Sequence, residues 1–451
     1  MMQGRQGVAA ACRAAGTLRE NRGWHAFLAV ALLAVACGGT GTTTDLASDA
    51  EGFADGTPPD DLPGDGDGGD LDSDASGAPD ADAFVAHPNS KNASMFDEED
   101  VVAFALAFPQ GQWDQFLAHR AAGTKEYVHC SFTFEGETFA DAACRSKSNP
   151  DYWAEEKKPQ FVVRFNHWDK AGRFRGLRAL NLEANPFHSA PIRDRLGLWL
   201  FREAGLDASR ANHATLTVDG RPYGLYMNVE VVDREFLEDH FPDPSGNLYE
   251  NGSELTTNES TPDLTRLWDL EELVDDEPDT GDHAAFFAAL PGLMDVPQVL
   301  RVMAAEAVLP TGDNFTNGGT NYLLYDHPGR GFLVIPWDLD DILCEYADPE
   351  SDPFEYWGHP ELELPPSRLR QLINANPDWK AEYVAHLKAF RDDLLPRLQS
   401  RVATVCAQVR PNVQDDPYRA SSDLEDFDDD CQEAADRVDQ RKAFLESEGV
   451  L

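Results

Sequence analysis

Two stretches of alternating residues, each broken once by an acidic residue followed by glycine, limit the folds open to this chain. Residues 127–147, YVHCSFTFEGETFADAACRSK, put an apolar side chain at every second position up to Glu135-Gly136. Residues 212–233, NHATLTVDGRPYGLYMNVEVVD, turn back at Asp219-Gly220. A period of two around such a turn predicts a β-hairpin. QFVVRFNHW (160–168) predicts a third strand region, and LRALNLEAN (177–185) leads into APIRDRLGLWLFREAG (190–205). That last segment has the apolar spacing of an amphipathic helix and ends at Gly205 in the manner of a C-cap. Before them, DEEDVVAFALAF (97–108) opens as a cap-like acidic turn and runs on apolar. Helical signals dominate from Pro291, interrupted by the hairpin-like TNYLLYDHPGRGFLVIPWDLDD (320–341), and the tail from Pro366 reads as several helices. Strands with one helix, followed mostly by helices, predict a two-lobed α+β plan, with a strand-rich first lobe over 95–233 and a helix-rich second over 234–451.

The N-terminal part has a different composition. Arg5, Arg13, Arg19 and Arg22 precede the apolar run AFLAVALLAVAC (26–37), which is short for a permanent membrane span and reads as an export signal. Its end, AVACGG, resembles a lipobox in which Cys37 would be acylated and become the mature N-terminus, with Ala34 standing where leucine is usual. Residues 38–94 are rich in Gly, Asp, Ser, Pro and Ala, and residues 41–90 hold no Lys or Arg. Such a segment cannot bury enough apolar surface to offset its ordering entropy, and predicts a disordered acidic linker. DGDGGDLDSD (65–74) lacks the closing Glu and flanking helices of a calcium loop, so a self-repelling tether is the better reading.

A formal net charge of -44 over 451 residues excludes general attraction to nucleic acid or to an anionic membrane surface. It favours cationic partners, divalent metals and basic proteins among them. Cys130 and Cys144 flank the first hairpin, and Cys406 with Cys431 would close a C-terminal loop. An oxidising compartment permits both pairs. Cys344 is then left as a buried thiol. No cysteines have CxxC spacing, which predicts no structural zinc, and no histidines have HExxH spacing. Neither GxSxG nor GxxxxGK[ST] occurs, so serine-esterase and P-loop chemistry are excluded.

Four segments occur in order: LNLEANPFHSAPIRDRLGLWLFREAGL (180–206), LTVDGRPYGLYMNVEVVDREFLEDHF (216–241), GNLYENG (246–252) and TNYLLYDHPGRGFLVIPWDLDD (320–341). Over roughly residues 95–451 the chain resembles the CotH family, the spore coat protein H-type secreted kinases. The resemblance implies an atypical protein-kinase-like fold. It also implies metal-dependent transfer of the ATP γ-phosphoryl group to Ser or Thr of exported proteins, with ATP and Mg2+ or Mn2+ as cofactors. The alternative is an inactive member that serves as a surface binding or assembly module. The protein substrate would be basic and Ser-rich, and membrane contact would come only through a lipid anchor at Cys37.

The residues suit phosphoryl transfer, which needs divalent metal held by carboxylate and amide oxygens against the phosphate charge. DNFTNGGTN (313–321) and PWDLD (336–340) place a loop Asp, then Asn, then a hairpin, then a second Asp, the order of parts in ordinary kinases. By that comparison Asp313 is the candidate base, Asp338 the principal metal ligand, and Asn321 and Asp340 its helpers. Asn317 fits the usual Asp-to-Asn spacing better, whereas Asn321 fits the family's NYxLY. A strand cation for the α- and β-phosphates is Arg164, Arg178, or Lys147 in CRSKSN, where Ser148 replaces the family's glycine. Asp194, next to Arg193, is the candidate that orients that cation. Backbone groups near Glu230, Val231 and Val232 would read the adenine edge, with Leu225 and Val229 lining the pocket. The acidic, aromatic loop 351–366 is expected to receive the substrate.

Overall fold

The computed structural model describes residues 91–451 except 149, 151–152, 154–157, 186–187, 346, 356–366, 420–422 and 448–450. The expected export signal, Cys37 and nearly all of the acidic linker lie outside the described residues, as does most of the loop expected to receive substrate.

Seven strands close into a barrel: β1 (Val102–Ala107), β2 (Val128–Phe134), β3 (Glu137–Ser146), β4 (Phe161–Arg164), β5 (Ala179–Glu183), β6 (Ala211–Val218) and β7 (Arg221–Val229), in the order β1-β2-β3-β4-β5-β7-β6. Both expected hairpins are present, β2–β3 turning at Glu135-Gly136 and β6–β7 at Asp219-Gly220. The apolar run after Glu98-Glu99 is a strand: β1 pairs antiparallel with β2 and parallel with β6, and so closes the ring. Alternation sends Phe104, Phe132, Phe161, Val163, Leu180, Leu182 and Tyr226 inward to one aromatic-rich core. The Cys130–Cys144 disulfide ties β2 to β3 within it.

The second half is mixed. Helix α1 (Gln112–Ala121) belongs to the barrel side, and α2 (Arg193–Glu203) lies between the barrel and the helical half. After α3 (Arg234–His240) comes a four-stranded sheet of order β11-β10-β8-β9, built from β8 (Leu248–Glu250), β9 (Glu254–Leu255), β10 (Tyr322–His327) and β11 (Gly331–Pro336). Helices α4 (Thr265–Asp275), α5 (Ala284–Ala289) and α6 (Val296–Val308) fall between β9 and β10. The α6 side chain Gln298 donates to Val334 O at 2.7 Å and accepts from Val334 N at 3.1 Å, satisfying the edge of β11. The tail forms α7 (Arg368–Asn374), α8 (Pro377–Ala389), α9 (Leu395–Gln414) and α10 (Asp423–Glu446), with Cys406–Cys431 joining the last two.

The chain is thus mixed α and β, and one apolar cluster runs across residue 233. Leu225, Met227, Val229 and Val232 belong to the same apolar cluster as α2, α6, the four-stranded sheet and the tail helices. Strand β7 therefore faces the barrel core with Tyr226 and the helical core with its alternate residues. Next to it, the end of α9 docks on the barrel. Asp416 accepts from Leu225 N at 2.9 Å and pairs with Lys158 Nζ at 2.6 Å, both side chains nearly fully buried. Gly224, at φ 84°, leaves the room: a Cβ there would lie 2.1 Å from Asp416 Cγ. Removing one partner of a buried ion pair leaves the other charge desolvated, so Asp416→Ala should lower unfolding stability by about 3–5 kcal/mol. Urea denaturation measures it, and a loss within the range of an exposed surface substitution would show that this contact does not join the barrel to the tail.

Candidate functional site

Strand alternation puts Lys147, just past β3, and Glu183, at the end of β5, on the outside of the barrel. Their side chains, each less than a tenth exposed, form an ion pair of 3.3 Å. Lys147 N donates to Gln160 O at 3.1 Å, and Trp153 Nε1 donates to Lys147 O at 2.8 Å. Ser148 takes φ 67°, the left-handed backbone that explains why glycine is the expected residue there.

Asp194 stands in the first turn of α2. One carboxylate oxygen accepts from Leu339 N at 2.9 Å and the other from Asn185 Nδ2 at 3.1 Å. The helix comes this close to the segment after β11 because residue 197 is glycine: a Cβ would lie 2.8 Å from Leu339 Cδ1. Burial, and next the charge of Glu183, push the Asp194 carboxyl up to about 7, while Lys147 acts in the opposite direction. Asp340 is also raised well above the carboxylate range, by its withdrawal from water and then by Asp338, Asp194, Asp341 and Glu183.

The β10–β11 hairpin supplies the opposite wall. Tyr322 pairs with Pro336, and Trp337 N donates to Asn321 O at 3.1 Å, so Asn321 and Asp338 come side by side at its open end. Both take left-handed backbone, φ 54° and 50°. Asn321 Nδ2 lies 3.4 Å from both Asp313 O and Asp338 O, bridging the preceding loop to the end of the hairpin. Asp313 accepts a hydrogen bond from Thr320 Oγ1. Asn317 is used differently: its amide donates to Thr311 O at 3.1 Å and its oxygen accepts from Arg370 at 3.1 Å, inside the loop. Of the two asparagines, Asn321 is the one beside Asp338.

The other expected positions separate. Arg178 is paired with Glu235 of α3 at 2.9 Å. Arg164 donates to Asn166 Oδ1 at 2.9 Å, on the same face of β4 as Val162. The Glu230 side chain binds Arg210, which holds its carboxyl well below the usual range despite burial. Val232, Leu225 and Val229 are packed in the helical core. Val231 instead joins Val162, Ala179 and Tyr127 in a small apolar group on the outer barrel face. Sequence reading missed Glu183 and this group. The signal for Glu183 was a single acid in phase with Ala179 and Asn181 along LRALNLEAN.

Carboxylate and amide oxygens around Asp338, Asp340 and Asn321 suit a hard divalent cation such as Mg2+ or Mn2+. The raised carboxyl of Asp340 marks a negative charge that its neighbours leave uncompensated. A carboxylate cluster with one buried Lys-Glu pair lies on the flank of a barrel packed against helices. The chain belongs to the CotH kinase protein family, whose model matches residues 152–445. Among curated proteins it is similar to the inner spore coat protein H of Bacillus subtilis (strain 168), 24% identical over 292 residues that cover 60% of this chain and 78% of that protein. Among solved structures it is similar to the Golgi casein kinase with Mn/ADP bound, at 11% identity, a TM-score of 0.25, and coverage of 79% of this chain and 77% of that one. It is also similar to the Shewanella oneidensis MR-1 HipA, HipB and operator DNA complex, at 14% identity, a TM-score of 0.23, and coverage of 59% and 60%. At such TM-scores neither likeness bears on fold or chemistry.

The loop that carries Asp313 rests on a second buried acid. Glu306 of α6 accepts from Thr316 N at 2.9 Å, and burial pushes its carboxyl up to about 8 against the pull of Arg370. The folded state therefore keeps this proton where the unfolded chain has lost it. The resulting stability is full below the unfolded value of 4.5 and is lost as pH rises toward 8. Glu306→Gln keeps the acceptor without the charge. Wild type should lose more stability than this variant between pH 5 and pH 8, by on the order of 1 kcal/mol or more; parallel melting curves would contradict this.

Proposed function

We propose that this chain is an exported protein kinase that transfers the ATP γ-phosphoryl group to Ser or Thr of proteins. The Lys147–Glu183 pair facing Asp194 and the Asp338–Asp340 segment carries this reading, together with membership of a family described as kinase proteins. Asp338, Asp340 and Asn321 would hold Mg2+ or Mn2+, which would neutralise phosphate charge. Lys147 binds the α- and β-phosphates, and Glu183 and Asp194 hold its ammonium in register. Asp313 accepts the proton of the substrate hydroxyl as the hydroxyl oxygen bonds to the γ-phosphorus and the bond from that phosphorus to the β–γ bridging oxygen breaks, releasing ADP. The adenine rests on Val162, Ala179 and Val231, with the main chain of residues 230–232 along its edge. In this reading residues 95–233 act as the first lobe and 234–451 as the second.

The substrate is cationic. A cavity of about 640 Å³ beside Asp340 is lined by Asp341, Glu345, Asp426, Asp429 and Glu433, which supports a basic, Ser-bearing segment. The two disulfides support an oxidising compartment. The homologous spore coat protein supports a surface location, and acylated Cys37 with its acidic linker would hold the domain there.

The test is phosphate transfer from labelled ATP to a basic Ser-rich protein. Asp338→Ala and Lys147→Ala should each lower the rate by about 100-fold or more, and Asp313→Ala by a comparable factor. Equal labelling by wild type and Asp338→Ala would overturn the metal assignment. Absence of ATP binding and of transfer by wild type would overturn the kinase reading in favour of a binding module.

A further inference from the structure

On the cavity wall three side chains of different chemistry converge. His188 precedes α2, and Asp341 and Cys344 follow β11. A His nitrogen, an Asp carboxylate oxygen and the Cys sulfur all lie within 4.8 Å of one another, the one such group of three among the described residues. His188 Nε2 is buried, has no hydrogen-bond partner among the described residues, and stands 3.8 Å from Asp341 Oδ1. A ring nitrogen shut away from water without a partner is destabilising, and a coordinated cation would remove that cost. Cys344 is 2% exposed, belongs to neither disulfide, and points its Sγ at Asp341 O, 3.1 Å away. Asp430, which also lines the cavity, is occupied by Arg193 and by Ala190 N, and the ligand atoms within 4.8 Å of one another are these three.

We propose that His188, Asp341 and Cys344 bind a zinc-class divalent transition-metal ion, separate from the oxygen-donor centre at Asp338. Nitrogen, oxygen and sulfur donors together select a borderline-soft ion over Mg2+ or Ca2+. Bonds of about 2.0–2.3 Å to such an ion require only small side-chain rotations from the spacing present. The thiol proton leaves to solvent as the thiolate coordinates, and its hydrogen bond to Asp341 O is given up. Three protein ligands leave the fourth tetrahedral position open to the cavity. The carboxylates of Glu345, Asp426, Asp429 and Glu433 along that cavity draw cations to it. The bound ion would pin the segment before α2 to the segment after β11, close in the chain to Asp340. The spacing of cysteines could not reveal this site, because its one sulfur ligand has no cysteine partner and its histidine is remote in sequence.

Co2+ is the probe, added to the full chain. One equivalent should give a near-ultraviolet thiolate-to-cobalt charge-transfer band and the visible absorption of tetrahedral cobalt. Equimolar Zn2+ should abolish both, and millimolar Mg2+ should leave them. Cys344→Ser should lose the charge-transfer band, which separates this thiol from those of Cys12 and Cys37. His188→Ala should weaken Co2+ binding by about tenfold or more, the scale of a disturbed metal-ligand shell. No charge-transfer band in wild type overturns the proposal whatever the variants do. So do a band that survives in Cys344→Ser, displacement by Mg2+, or unchanged affinity in a folded His188→Ala.

Discussion

A buried carboxylate, that of Asp194, holds the candidate centre together. Its two oxygens take Leu339 N from the segment after β11 and Asn185 Nδ2 from the segment after β5. It therefore fixes the distance between the barrel flank and the Asp338–Asp340 segment. Without it, Lys147 and Glu183 would face a loop with no defined register. The cost is electrostatic, because burial and the charge of Glu183 raise the Asp194 carboxyl, and the hydrogen bonds from Asn185 and Leu339 with the charge of Lys147 offset them only in part. Burial, Asp338 and Asp194 in turn raise Asp340. Proteins place such concentrations of one sign where a cation or an anion-cation pair is to be received.

The rest of the fold serves this spacing. The closed barrel gives Lys147 and Glu183 a rigid outer face, and the absence of a Cβ at Gly197 lets α2 lie directly on Leu339. Strand β7 shares its two faces between the cores, and the tail helix returns to it through Asp416. The barrel and the helical layer are therefore coupled through β7 and α2, the elements next to the site. Residues 230–232, expected to run along the adenine edge, are well anchored: Glu230 by Arg210, Val232 by the helical core.

Local patterns were legible in the sequence, and long-range closure was not. The turns at Glu135-Gly136 and Asp219-Gly220 and the end of α2 at Gly205 follow from residue chemistry over a few positions, and both disulfides join segments close in the chain. The nearness of Asn321 to Asp338 was also readable, because a hairpin returns its ends to each other. By contrast, β1 closes the barrel through a parallel pairing with β6, which no short window encodes, and its run of apolar residues carries no strand-specific period. Glu183 was hidden because its meaning depends on Lys147 two strands away. In the sequence Arg178 is as good a strand cation as Lys147, and only its pairing with Glu235 in the fold separates the two.

Under the proposed function, the carboxylates around Asp340 stay together against their own repulsion because a divalent cation joins them. Thermal unfolding of the wild type and of Asp340→Asn, each with and without Mg2+, tests it most directly. Mg2+ should raise the wild-type midpoint, metal-free Asp340→Asn should melt above metal-free wild type, and the variant should respond little to Mg2+. A variant that melts below metal-free wild type, with a wild type indifferent to Mg2+ and Mn2+, would contradict it.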